Sequence, residues 1–298
     1  MVEYDSLEAA IKGCFGDSVK ETKRSYVAGG DINDATCLQL SNGDRVFVKS
    51  NALSRRGFFD AEEAGLSAIA STGAIGTPKL LCKGTDAKRN ISFLMMEMIE
   101  PGRKVPDYWE RFAKELANMH RADTSRFVPG KKYGFLVDNY IGASFQQNSP
   151  MDSWVEFFRQ QRLEVQFRMA EKYFDHDFIK ETIRFLDKTE DILTEPDYPS
   201  LLHGDLWSGN SMTGNDGKAI LIDPACYVGH AEADIAMTEL FGRLPETFYE
   251  AYNSEDQISP GYEDRREIYN LYHLLNHLNL FGSSYLYPVQ RTVRRYSS

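Results

Sequence analysis

The sequence predicts an α+β fold of two lobes: a small N-terminal lobe built on an antiparallel sheet with one prominent helix, and a larger, mainly helical C-terminal lobe. Segments that alternate like β-strands concentrate in residues 1–98, whereas apolar residues recur at helical spacing through most of residues 99–298. The 298 residues, 42% of them hydrophobic and 26% charged, are enough for two packed lobes of ordinary globular composition. We therefore place the lobe boundary between residues 98 and 99.

One helix and a three-stranded meander are predicted for the first fifty residues. Apolar side chains recur at helical spacing in residues 3–15. Strand-like segments separated by turns follow at residues 25–28, 36–40 and 45–49. Gly29 and Gly30 occupy the first of these turns, where backbone N–H groups can cover the phosphates of a nucleotide. An ordinary β-turn explains the two glycines as well.

Lys49, at the end of the third strand, is a candidate phosphate-binding residue. The amphipathic helix predicted over residues 58–70 carries Glu62, a candidate ion-pair partner. In kinase folds a lysine on a strand pairs with a glutamate on a helix, and the pair directs the ammonium at the α- and β-phosphates of ATP. Glu63 competes for this role, and we prefer Glu62. Without such a pair, Lys49 would be an ordinary surface lysine.

A linker is predicted between the two lobes. Strands expected at residues 78–81 and 91–96 lead into a segment whose composition becomes that of a loop. The backbone of Glu97, Met98 and Ile99 can offer N–H and C=O groups to the edge of an adenine ring. Core packing is the competing explanation for the methionines around this segment.

The C-terminal lobe is predicted to be mainly helical. Helical spacing of apolar residues is found over residues 107–120, 152–174, 177–193, 232–240 and 263–281. His120 closes the first of these helices, and we interpret it as a buried or capping histidine whose hydrogen bonds are satisfied. Residues 139–142 are expected in a loop rich in aromatic side chains.

One segment combines turn signals with residues suited to catalysis. Apolar runs at residues 200–202 and 219–222 flank a polar turn, which predicts a tight β-ribbon. Asp205 and Asn210 have the Asp–x4–Asn spacing of a phosphotransferase catalytic loop, and Asp223 follows the second run. In such a loop the first aspartate accepts the proton of the attacking hydroxyl, and the other two residues supply oxygen ligands to Mg²⁺. A hairpin with polar turn residues is the plain alternative.

Composition argues against several kinds of partner. The net charge of −10 disfavours nucleic acid and anionic membranes as main partners. The basic tail is a local exception, which a solvated last helical turn explains as well as a partner does: Arg291, Arg294 and Arg295. No apolar run is long enough for a bilayer, and the N-terminus lacks a signal-peptide pattern. Because the cysteines are far apart and in no metal-ligand spacing, we expect a cytoplasmic protein. They are Cys14, Cys37, Cys82 and Cys226.

The order of these features resembles that of the small-molecule kinases of the protein-kinase-like fold, which include the aminoglycoside and choline kinases. In that group His-Gly-Asp replaces the His-Arg-Asp of protein kinases, as His203-Gly204-Asp205 does here. Within the group the sequence is most similar to the fructosamine/ketosamine-3-kinases. The matching stretches are residues 138–142, 154–158, 162–163, 203–210, 222–225, 229–230, 232–234, 236–242 and 271–282.

This resemblance implies an ATP- and Mg²⁺-dependent kinase that phosphorylates the 3-hydroxyl of ketosamines. Fructosamine, ribulosamine or erythrulosamine adducts on small amines or protein lysines would be the substrates, and decay of the 3-phosphate would release the amine, a deglycation repair.

The resemblance also implies a role for each matching residue. Asp205 is the general base, Asn210 and Asp223 bind Mg²⁺, and Lys49 with Glu62 positions the phosphates. Glu97, Met98 and Ile99 match the ATP-binding linker. Trp207 lies beside the base and can stack on the sugar adduct. His203 and Asp234 support the catalytic loop, although Asp234 is explained equally well as a helix N-terminal charge.

A few positions depart from the family pattern. Asp31 stands in the glycine-rich turn where some relatives carry a redox-active cysteine, so a disulfide switch there is not supported. Pro150, Ala231 and Arg243 also replace residues that are common in the family, which affects the expected amine substrate more than the chemistry. Two other functions compete: a kinase for another small alcohol, of the aminoglycoside or choline type, and a pseudokinase that binds a partner without chemistry. The sequence gives no signal for an oligomeric state.

Overall fold

The computed structural model describes residues 1–27, 33–255 and 258–297. The turn predicted at Gly29 and Gly30, and Asp31 beside it, lie outside these residues. Within them, the predicted two-lobed α+β fold is present. A six-stranded sheet with helices on both faces forms the N-terminal part, and helices with short two-stranded ribbons form the rest.

The N-terminal sheet has the strand order β1-β5-β6-β4-β3-β2. Neighbouring strands pair antiparallel, apart from the parallel pair β1–β5. The predicted meander is its β2-β3-β4 portion. The strands are β1 (Glu3–Tyr4), β2 (Glu21–Tyr26), β3 (Asp34–Leu40), β4 (Arg45–Ala52), β5 (Leu80–Asp86) and β6 (Ile91–Glu97).

Helices α1 (Leu7–Phe15) and α2 (Gly57–Thr72) cover opposite faces of this sheet. Side chains alternate along a strand, so Val46 and Val48 of β4 pack in the cluster that contains α1 residues. Phe47, one position on, packs in the cluster that contains α2 residues. The same alternation brings Lys49 to the face that α2 covers.

The first helix is shorter than the expected 3–15. Ser6 caps it, because its hydroxyl accepts a hydrogen bond from Ala9 N at 3.2 Å. Residues 3 and 4 instead pair with Lys83 and Gly84 of β5. β5 itself extends to Asp86, well beyond the strand expected at 78–81.

Helices make up most of the chain after residue 107. The expected helix at 152–174 is interrupted by a π-helical turn, Arg159–Leu163, in which three consecutive residues are buried. The basic tail lies in the last helix, where Arg294 pairs with Glu181 (3.1 Å) and Arg295 with Glu267 (2.5 Å). The helices are α3 (Tyr108–His120), α4 (Trp154–Phe158), α5 (Glu164–Ala170), α6 (His176–Ile192), α7 (Glu232–Leu240), α8 (Glu246–Glu255), α9 (Tyr262–Phe281) and α10 (Leu286–Ser297).

The β-ribbon predicted from residues 200–202 and 219–222 is wrong in its pairing. Strand β10 (Ser211–Thr213) pairs with β11 (Ala219–Leu221) across the polar turn between them, in which Gly214 N donates to Lys218 O at 2.9 Å. β9 (Ser200–Leu202) pairs instead with β12 (Tyr227–Gly229), downstream of Asp223. The short turn between β10 and β11 costs less loop-closure entropy than a longer connection would, which favours their pairing, and β9 pairs with the later strand β12.

The segment expected to be an aromatic loop is a hairpin of β7 (Asn139–Ile141) and β8 (Ser144–Gln146). It lies against a core rich in aromatic residues, with Trp154 and Tyr227 stacked at 6.4 Å between ring centroids. Within the ranges that the structure describes, none of the helices combines the length and the apolar character needed to cross a membrane.

Candidate active site

Asp205 follows β9 in a loop whose backbone is fixed by His203. The imidazole Nε2 donates to the Ile222 carbonyl at 2.9 Å, and Nδ1 accepts from Asp205 N at 3.3 Å. Burial lowers the pKa of His203, which agrees with this neutral, Nε2-protonated ring. Gly204 is required between them: its φ is +80°, and a Cβ there would come within 2.2 Å of the Ala225 carbonyl oxygen.

Asp234, at the start of α7, holds the same loop through its backbone. Its carboxylate accepts from His203 N at 2.7 Å and Gly204 N at 2.9 Å, and His120 Nε2 lies 3.2 Å away. Burial alone would raise the pKa of Asp234, but its hydrogen bond to His120, the nearby histidines and the backbone N–H of Gly204 lower it overall. His120 is buried, and its Nδ1 lies 2.7 Å from the Tyr252 hydroxyl, as expected for a satisfied histidine.

Asp205 and Asn210 meet across the loop. Asn210 Nδ2 donates to the Asp205 carboxylate at 3.1 Å and to the Asp205 backbone oxygen at 2.9 Å. Burial raises the pKa of Asp205 to about 7, against the opposing effect of the Asn210 hydrogen bond and with help from the charges of Asp223 and Asp234. A carboxylate with that pKa is suited to general base catalysis near neutral pH.

Lys49 lies between two carboxylates. Its Nζ is 2.6 Å from Glu62 Oε1 and also binds Asp223. Glu62 is the predicted partner, and Glu63 instead binds Lys83 of β5 at 2.7 Å. Burial opposes the charged form of Lys49, but the two carboxylates outweigh it, so its pKa is raised.

Asp223 joins this pair to the catalytic loop. It follows β11 after one residue, Ile222, and has φ +55°, in the left-handed region that aspartate tolerates better than most residues. Ile222 N donates to Asn210 O at 3.0 Å, so Asn210 and Asp223 lie on adjacent backbones. The structure therefore brings Lys49, Glu62, Asp205, Asn210 and Asp223 into one site.

A family model described as fructosamine kinase matches residues 4–298. A probable ketoamine kinase from Synechocystis sp. is 37% identical over 293 residues, which cover 98% of this chain and 96% of that one. A chloroplastic protein-ribulosamine 3-kinase from Oryza sativa subsp. indica is 39% identical over 272 residues, 91% of this chain and 77% of that one. The chain belongs to the fructosamine kinase family. It is a phosphotransferase.

Solved structures agree with this membership. The crystal structure of a provisionally named fructosamine-3-kinase from Haemophilus somnus 129PT has a TM-score of 0.86 and 28% identity, with 98% of this chain and 96% of that chain covered. An aminoglycoside phosphotransferase has a TM-score of 0.60 at 14% identity over 98% of this chain and 97% of its own, which shows the shared protein-kinase-like fold.

In this fructosamine kinase family member the predicted linker residues are partly buried. Glu97 is the last residue of β6, and its carboxylate accepts from Lys79 N at 2.8 Å. Met98 and Ile99 are half-buried in the loop that follows. Farther along, Gly102 N donates to Thr213 O at 3.0 Å, which fastens the linker to the β10–β11 ribbon.

Trp207 is the exposed aromatic residue of the catalytic loop. The residue is 39% exposed, and its ring lies over Gly209, where a Cβ would come within 2.3 Å of the ring. The neighbouring Leu206 is buried. Trp207 therefore presents an aromatic surface beside Asp205.

The donor groups of the site fit Mg²⁺ and a nucleotide. Asn210 uses its Nδ2 in the loop, which leaves its oxygen for a cation, and the Asp223 side chain is 44% exposed. Among the described residues there is no cluster of three or more histidine, cysteine, aspartate or glutamate side chains that could hold a metal. One carboxylate, one amide oxygen and substrate phosphates are the usual environment of Mg²⁺, not an all-protein cage.

The polar residues of the hairpin were missed in the sequence. Asn139 Nδ2 donates to Cys226 O at 2.6 Å, and Gln146 Nε2 donates to Ala225 O at 3.0 Å. Both carbonyls belong to the segment that follows Asp223. A signal was present, because Gly142-Ala143 forms a two-residue turn between alternating segments, which is typical of a β-hairpin.

Proposed function

We propose that this phosphotransferase transfers the γ-phosphoryl group of ATP to the 3-hydroxyl of ketosamines. Fructosamine and ribulosamine adducts on small amines or protein lysines are the proposed substrates, and deglycation repair is the proposed role. The observation that carries this is the single constellation of Lys49, Glu62, Asp205, Asn210 and Asp223 in a chain of the fructosamine kinase family. Decay of the 3-phosphate then releases the amine.

In the proposed reaction Asp205 accepts the proton of the attacking 3-hydroxyl. The sugar oxygen forms a bond to the γ-phosphorus as the bond to the β,γ-bridging oxygen of ATP breaks, and ADP leaves. Asn210 holds the Asp205 carboxylate through its Nδ2. Asp234 and His203 keep the loop backbone in place, so the base is positioned before the substrate arrives.

Lys49 is proposed to bind the α- and β-phosphates, with Glu62 holding its ammonium in place. The linker at Glu97, Met98 and Ile99 is proposed to bind adenine, and residues 98 and 99 to form the lobe boundary. Asn210 and Asp223 would hold Mg²⁺. When bound, Mg²⁺ neutralises the charge that develops on the transferred phosphoryl group.

Trp207 is proposed to stack on the sugar adduct, since it is the exposed aromatic side chain next to the base. The cytoplasm is the proposed compartment. Its support is the four free thiols Cys14, Cys37, Cys82 and Cys226.

A substrate panel tests the proposal. Fructosamine, ribulosamine and erythrulosamine derivatives of a small amine and of a lysine peptide are incubated with Mg²⁺ and ATP, and the 3-phosphate is detected by ³¹P NMR. We expect a 3-phosphate with at least one ketosamine, and a rate reduced about 10²- to 10⁴-fold in Asp205→Asn. Asp216→Asn, in the exposed turn of the neighbouring ribbon, is the matched control and should keep full activity.

Three results would contradict the proposal. ATP consumption with an aminoglycoside or choline, but with no ketosamine, would assign the site to another small alcohol. Normal turnover by Asp205→Asn on a ketosamine would remove Asp205 from the role of base. A failure of Mg²⁺ and ATP together to raise the melting temperature would instead favour a pseudokinase.

A further inference from the structure

The β7–β8 hairpin has a polar face and an aromatic face, and each face contacts a different part of the active site. Asn139 and Gln146 are buried on the inner face, while Tyr140 and Phe145 point outward. At these four positions the usual arrangement, with apolar residues inside and polar residues outside, is reversed, although Ile141 of the same hairpin is buried. The buried amides of such a hairpin need hydrogen-bond partners, and its outer rings can pack against another element.

The inner face holds the backbone between Asp223 and β12. Gln146 Nε2 donates to Ala225 O at 3.0 Å and to Asn139 Oδ1 at 2.7 Å. The Tyr272 hydroxyl fixes the amide by donating to Gln146 Oε1 at 2.6 Å. Ala225 N in turn donates to His203 O at 2.9 Å, so the hairpin is two hydrogen bonds away from the catalytic loop.

The outer face holds helix α2. The Tyr140 ring stacks on Phe58 with 3.8 Å between ring centroids and 10° between ring planes. Phe58 lies in the first turn of α2, four residues before Glu62. Residues four apart lie on the same face of a helix, so the face that meets Tyr140 is also the face that delivers Glu62 to Lys49.

We propose that Tyr140 is a positioning residue for phosphoryl transfer. It holds α2 at the distance from the C-terminal part at which Glu62 binds Lys49, while the same hairpin holds the segment that follows Asp223. Lys49 binds both Glu62 and Asp223, so its position depends on both faces of the hairpin. This role rests on the proposed function, because the consequence of the arrangement is the placement of a phosphate-binding lysine.

Nucleotide binding tests the proposal without an acceptor. The Kd of a non-hydrolysable ATP analogue with Mg²⁺ is measured by calorimetry for the unmodified protein and for Tyr140→Ala. Loss of a stacked aromatic pair corresponds to roughly 3- to 10-fold in an equilibrium constant, so we expect binding weaker by about that factor. Tyr140→Phe keeps the ring and should restore binding, and Tyr287→Ala, at a 73% exposed tyrosine of α10, should leave it unchanged.

A double-mutant cycle separates positioning from general loss of stability. If Tyr140 acts through Glu62, then Tyr140→Ala should add little to the effect of Glu62→Gln on the nucleotide Kd. Multiplying effects, or unchanged binding in Tyr140→Ala, would overturn the proposal. If Tyr140→Ala does not fold, Phe58→Leu removes the stack from the other side. Absence of ketosamine turnover in the unmodified protein would overturn the proposed function alone, since this measurement uses no ketosamine.

Discussion

The activity should depend on pH through Asp205. Burial and the neighbouring carboxylates raise the pKa of Asp205 to about 7, and the base acts only in its ionised form. The sign follows directly: activity is lost as the pH falls through the raised pKa. A surface aspartate at 3.8 would stay ionised throughout the neutral range and would give no such loss.

The magnitude follows from the ionised fraction of Asp205. With a pKa of about 7, about one-tenth of the carboxyl is ionised at about pH 6 and about nine-tenths at about pH 8. The kcat/KM of the free enzyme should therefore rise about tenfold over that interval. The profile of kcat should lie at lower pH, because a cation next to Asp205 favours the carboxylate.

The assay is ADP release over a range of ketosamine concentrations, from which kcat/KM is obtained in parallel for the unmodified enzyme and Asp205→Asn. Titration of the nucleotide phosphates affects both proteins equally, so the ratio of their kcat/KM values reports Asp205 alone. A tenfold rise in this ratio supports the reasoning. A ratio that stays flat from about pH 6 to about pH 8, with Asp205→Asn strongly impaired at every pH, would refute the raised pKa while leaving Asp205 as the base.

Three further predictions follow from the same contacts. The first concerns stability: the pKa of Asp205 is 3.8 in the unfolded chain and about 7 in the folded protein, so proton binding stabilises the folded state and this contribution is lost as the pH rises through about 7. Between about pH 4 and about pH 8, the free energy of unfolding of Asp205→Asn, measured in urea, should therefore increase relative to that of the unmodified protein by roughly 1 to 4 kcal/mol. The second concerns support of the catalytic loop: Asp234→Ala leaves two buried N–H groups unpaired and should lower the free energy of unfolding by roughly 3 kcal/mol. Asp234→Asn keeps an acceptor oxygen, so it should lower the free energy of unfolding by less in the same assay. The third concerns binding of the acceptor: Trp207→Ala should raise the KM for the ketosamine by roughly 5- to 10-fold and leave the KM for ATP unchanged. Trp207→Phe should retain most of the affinity for the ketosamine. Equal changes in both KM values would contradict stacking on the sugar.

The contacts among the polar residues of the site could be predicted because few residue types can serve the expected roles. Asp205 and Asn210 are five residues apart in one loop, so their contact is local and spacing alone is informative. The pairing of Lys49 with Glu62 follows from two periodicities. Strand alternation places Lys49 on the face of the sheet that α2 covers, and the helical turn directs Glu62 to Lys49 and Glu63 to Lys83.

The strand pairing and the hairpin could not be predicted in the same way. β9 had two apolar runs downstream, and only the turn that closes β10 on β11 decides which one it pairs with. Hydrophobic periodicity does not indicate which face of the hairpin is buried. Its aromatic residues Tyr140 and Phe145 face outward, and its amides Asn139 and Gln146 face the core. Buried amides become identifiable only when the carbonyls that they satisfy are known.

The two carboxylates that bind Lys49 differ in solvent exposure, and this difference supports the roles proposed for them. The Glu62 side chain is 11% exposed and lies on a helix that both the sheet and Tyr140 hold in place. The Asp223 side chain is 44% exposed at a single left-handed residue between a strand and a loop. Loss of the Lys49 contact would therefore leave the Asp223 carboxylate accessible to water, whereas the same loss at Glu62 would leave a buried carboxylate unpaired. The contrast supports the proposal that Glu62 stays the partner of Lys49 while Asp223 binds the metal.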